Sequence, residues 1–71
     1  MNDQTLVRMA SQIADFHAPY TEAERIEGIA THLRKFWDPR MRERLIALSE
    51  APETPLPAVI LAAIERLKTL S

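Results

Sequence analysis

No cysteine occurs in the chain, and glycine occurs once. Without thiols there is no disulfide framework, no thiolate zinc site and no thiol nucleophile, which fits a reducing cytosol. A single glycine leaves no glycine-rich phosphate loop, because backbone approach to phosphate needs several. Neither sign of charge prevails: nine Lys and Arg stand against ten Asp and Glu, for a formal net charge of -1. That balance argues against general nucleic-acid binding, where a basic excess displaces counterions. No apolar run approaches the roughly 18–20 residues that span a bilayer. The start, Met1-Asn2-Asp3-Gln4, lacks the basic residues and apolar stretch of a signal peptide. The expectation is a cytoplasmic, soluble single domain over residues 1–71, with no membrane and no nucleic-acid partner. A chain of this size sits where a lone core supplies only about 3–5 kcal/mol.

What the chain does contain is helical patterning. Apolar residues make up 46% and aromatics only 6%, which with few β-branched residues favours helices over strands. The fold class is therefore all-α: a small bundle of three to four short helices with no strands. The first helix, about 3–17, carries Leu6, Met9, Ala10, Ile13, Phe16 and His17 on one stripe, with Asp3 as its N-cap. Thr21-Glu22-Ala23-Glu24 is a capping box that opens the second, about 22–37, whose apolar face runs through Ile26, Ile29, Ala30, Leu33, Phe36 and Trp37. Gly28 inside it costs about 1 kcal/mol. Proline disfavours the helical conformation in the residue before it, so Asp38 leaves this helix and caps a third, about 39–49, with Pro39 at the first position. After Pro52, Pro55 and Pro57, a last and very apolar helix, about 55–70, opens at Thr54-Pro55 or Leu56-Pro57. Its central stripe of Leu56, Ile60, Ala63, Ile64, Leu67 and Leu70 reads as core.

Chemistry concentrates in one place. From Arg34 to Arg44 there are five basic and two acidic residues, a local charge of +3 that leaves the rest of the chain near -4. Arg34 and Lys35 complement the C-terminal dipole of the second helix. Arg40 and Arg42 do the opposite, standing in the first turn of the third helix, where the dipole disfavours cations. Each must pair internally, with Asp38 or another acidic residue, or meet acidic groups on a partner. Phe36 and Trp37 flank Leu33 at about 60° and 40° in helical projection, so both can border the core. Large rings beside arginines are also the composition of interface anchors, and the two readings stand together. His17 and His32 lack the spacing of a helical zinc motif and read as core or boundary histidines. Ser11, Ser49 and Ser71 lie in no nucleophile motif, so no catalytic or metal-binding residue is assigned.

Two blocks, Leu6-Val7-Arg8-Met9-Ala10-Ser11-Gln12-Ile13-Ala14 and His32-Leu33-Arg34-Lys35-Phe36-Trp37-Asp38-Pro39-Arg40-Met41-Arg42, resemble the delta subunit of bacterial NAD-dependent formate dehydrogenase. The resemblance implies a non-catalytic accessory subunit that supports assembly, stability or cofactor insertion. It implies that this chain holds no cofactor itself. The larger subunits would carry a molybdenum or tungsten bis-pterin cofactor, iron–sulfur clusters, flavin and the NAD site. The implied partners are those larger chains, the catalytic alpha subunit first among them. On the matching positions the expected partner interface comprises Arg8, His32, Phe36, Trp37, Asp38, Arg40, Met41 and Arg42. The competing reading is a free-standing helical regulator, DNA-binding or antitoxin-like, with the third helix presenting Arg40, Arg42 and Arg44 to phosphate.

Overall fold

The computed structural model describes residues 2–51, 54 and 56–70. These form four helices, α1 (Asp3–Phe16), α2 (Glu22–Phe36), α3 (Pro39–Ser49) and α4 (Ala58–Leu70), with no strand among the described residues. The helix starts are set by local chemistry. Thr21 Oγ1 accepts from the Glu24 amide while Glu24 accepts from the Thr21 amide, completing the reciprocal capping box. Asp38 accepts from the Met41 amide at 2.9 Å, with Pro39 beginning the helix.

Four boundaries differ from the sequence reading. The N-cap of α1 is Asn2, whose side chain accepts from the Gln4 amide at 2.7 Å, and not Asp3. Asp3 is the first helical residue and joins Arg44 instead. His17 and Trp37 each stand just past a helix end as C-caps. The last helix begins at Ala58, later than 55, and the Pro57 carbonyl accepts from the Ile60 and Leu61 amides. Pro57 is thus the proline that fixes its start; Pro52 and Pro55 lie outside the described residues.

The core gathers Leu6, Ala10 and Ala14 of α1, Ile29, Ala30 and Leu33 of α2, Leu45 and Leu48 of α3, and Ile60, Ala63, Ile64 and Leu67 of α4. The most extensive contact is between α2 and α4. Ala30 and Ala63, both fully buried, supply small side chains to the core from these two helices. Glu27 of α2 and Arg66 of α4 form a two-pronged pair at 2.8 and 3.2 Å that ties these helices together. A second such pair, Asp3 to Arg44 at 2.8 and 2.9 Å, ties α1 to α3. By contrast α1 meets α2 only lightly. Between them lies an open groove.

Candidate docking surface

Two neighbouring features make up the surface: the corner where α2 passes into α3, and the groove between α1 and α2. At the corner the chain leaves the helix at Trp37 (φ -87, ψ 140), because the residues ahead of Pro39 are held extended. That step separates two rings adjacent in sequence. Trp37 is carried off its helical angle and under the helix end, 5% exposed, whereas Phe36, the last residue of α2, stays 75% exposed. Of the two readings left open for it, core and partner interface, Trp37 takes the place of a core residue in this chain.

Arg42 is not paired with Asp38 or with any other carboxylate among the described residues. Half-buried, its guanidinium donates from Nη1 to the carbonyl oxygens of Leu33 (3.4 Å), Arg34 (3.1 Å) and Trp37. The last carbonyls of a helix lack intrahelical partners and carry its negative dipole end. A cation from the next helix satisfies both conditions. The charge that looked misplaced at the start of α3 thus acts as the cap of α2. Arg44, also in α3, is held by Asp3, which pushes the Asp3 carboxyl below its ordinary range through the hydrogen bond and the nearby positive charge. Two of the three arginines that a nucleic-acid reading turns toward phosphate are therefore engaged within the chain.

The remaining residues of the expected interface divide by exposure. Asp38 is committed to capping α3, and Met41 is half-buried against the core. Arg8 and Arg40 are exposed, and no carboxylate pairs with either among the described residues. His32 is half-buried, its ring 5.0 Å from that of Phe36.

The groove, about 500 Å³, is lined on the α1 side by Met9, Gln12, Ile13 and Phe16 and on the α2 side by Gly28, Thr31, His32 and Phe36, with Trp37 at its end. Phe16, like Phe36, is 75% exposed. His17 crosses the narrow end. Its Nδ1 donates to the Ile13 carbonyl at 2.8 Å, and its ring packs edge-on to Phe16 at 5.4 Å and beside Tyr20 at 5.9 Å. A Cβ at Gly28 would lie 2.8 Å from that ring, so the absent side chain lets the imidazole reach the α2 backbone. Sequence reasoning placed Met9, Ile13 and Phe16 on one apolar stripe and missed the groove. Their spacing was visible, but the separation of α1 from α2 depends on how the helices pack.

Residues 5–64 match the family of the NADH-dependent formate dehydrogenase delta subunit FdsD. The matched span covers α2 and α3 whole, α1 from its third residue and α4 as far as Ile64, and the chain belongs to this family. The family's name, that of a dehydrogenase subunit, implies partner subunits in a complex. No curated protein and no solved structure is matched by the chain.

Proposed function

We propose that this chain is a non-catalytic accessory subunit that binds the larger subunits of an NAD-dependent formate dehydrogenase and supports their assembly, stability or cofactor insertion. The observation that carries the reading is the family match over residues 5–64. The surface is consistent with it: Phe36 and Arg40 are both exposed, one on each side of the Asp38-Pro39 turn, a ring and a cation of the kinds enriched at interfaces. Trp37 and Arg42 hold that turn in place from behind. The catalytic alpha subunit is the partner proposed for this surface. The molybdenum or tungsten pterin, the iron–sulfur clusters, the flavin and the NAD site belong, in this reading, to the larger chains. A cluster held by cysteine thiolates has no ligand here, since the chain has no cysteine. The compartment proposed is the cytoplasm; among the described residues no helix is long and apolar enough to cross a membrane.

The test is affinity purification of the tagged chain from its native host. Recovery of the dehydrogenase subunits with formate-dependent NAD reduction is the expected result; a tagged chain recovered without them overturns the proposal. Deleting the chain then separates its roles. Loss of metal from otherwise intact large subunits indicates cofactor insertion, and loss of the subunits themselves indicates assembly or stability.

A further inference from the structure

The groove between α1 and α2, about 500 Å³, is an opening that the fold does not explain. Its floor is apolar, its jaws are two phenylalanines each three-quarters exposed, and its rim is charged unevenly. Residues four apart on a helix are neighbours. Arg8 therefore stands one turn from Gln12, and Lys35 one turn from Thr31, both flanking the Met9–Phe36 end. Arg40 lies beyond the same end of α2, whereas Arg34 borders a separate opening with Ile46 and Leu67. Among the described residues Arg8, Lys35 and Arg40 have no carboxylate partner, while Asp3, Glu27 and Glu65 pair with Arg44, Arg66 and Lys68. Arg8 and Lys35 are the two of these cations that flank the groove.

Resting on the reading as a dehydrogenase subunit, we infer that the groove receives an amphipathic helix of a larger subunit, its apolar ridge seated between Phe16 and Phe36 and its acidic residues facing Arg8 and Lys35. Helix-in-groove recognition presents apolar anchors at i, i+3 or i+4 and i+7, which suits a slot running along two helices. A second copy of this chain is a poorer occupant. Laid antiparallel, it would turn toward Arg8 and Lys35 the groove end where Glu24 is committed to the capping box, leaving Asp15 as the carboxylate beside Phe16.

The experiment uses the assembled dehydrogenase with Phe36 replaced by the photo-reactive benzoylphenylalanine. The expected crosslink is to a helical segment of a larger subunit with acidic residues within a turn of the attached site. In parallel, the Phe16→Ser/Phe36→Ser and Arg8→Glu/Lys35→Glu variants are expected to lower apparent affinity for the larger subunits about tenfold or more, and Leu61→Ser, on α4, to leave it unchanged. Helical circular dichroism matching the unaltered chain confirms that the variants fold. A crosslink to another copy of this chain, or to a segment without acidic residues, overturns the inference, as does unchanged affinity of both double variants. If the unaltered chain fails to associate with the dehydrogenase at all, the functional reading falls with it. If it associates and both double variants do so equally well, only the groove assignment falls.

Discussion

Two adjacent aromatic residues in this chain have opposite structural roles. Trp37 is 5% exposed and Phe36 75%, so truncations one residue apart are expected to differ sharply. Trp37→Ala should cost about 3–5 kcal/mol, comparable to the whole stability of a domain this small, whereas Phe36→Ala should change it by no more than about 0.5 kcal/mol. Arg42 and Arg40 contrast in the same way. Arg42→Ala removes the donor shared by the Leu33 and Arg34 carbonyls of α2 and that of its C-cap Trp37 and should cost about 1–3 kcal/mol; Arg40→Ala should be near neutral. Urea denaturation of the four variants measures both contrasts, and equal losses within either pair would contradict these assignments. Gly28 permits a sharper residue-level test. Alanine there gains about 1 kcal/mol of helix propensity but displaces the His17 ring that its Cβ would meet at 2.8 Å. The Gly28→Ala gain should therefore be larger in a His17→Ala background than in the unaltered chain, and a double-mutant cycle measures the difference. Additivity would show that the ring moves aside without loss.

At the scale of elements, the helix starts carry stability in local, separable pieces. Thr21→Ala and Asp38→Ala each remove a side-chain acceptor at an N-cap and should cost about 1 kcal/mol. Amide hydrogen exchange should quicken first at Glu24 and Met41, the amides left without acceptors. These caps were legible in the sequence because all their parts lie within four residues: Thr21 with Glu24, Asp38 with Pro39 and Met41. The start of α4 was legible only as a choice between two prolines. The different fates of Phe36 and Trp37 were not legible, since helical projection keeps both on the helix while the backbone releases Trp37. Nor was the role of Arg42 as a cap, which needs α3 folded back against the end of α2.

Across the whole molecule, two exposed ion pairs span elements distant in sequence: Asp3 with Arg44, and Glu27 with Arg66. Hydrogen bonding to its arginine and the arginine's charge hold each carboxyl below its ordinary value. A carboxyl lowered on folding stabilises the native state above its unfolded pKa, near 4, and that contribution disappears as pH falls through the native value. Stability should therefore decline modestly on acidification below about pH 4. The decline should be shallower in Asp3→Asn/Glu27→Gln and in high salt, as urea midpoints at neutral and acid pH would show. Neither pair was foreseeable from spacing, because each joins residues about 40 positions apart. The all-α architecture was readable from helical periodicity; the opening between α1 and α2 was not, because it depends on α2 packing against α4 in preference to α1.

The burial of Trp37 also has an optical consequence. It is the chain's sole indole, enclosed by the core yet bordering the groove. Unperturbed by other tryptophans, its emission wavelength reports unfolding, and its intensity responds to whatever settles beside Phe36. The isolated subunit thus carries an intrinsic fluorophore that follows both folding and docking without an added dye.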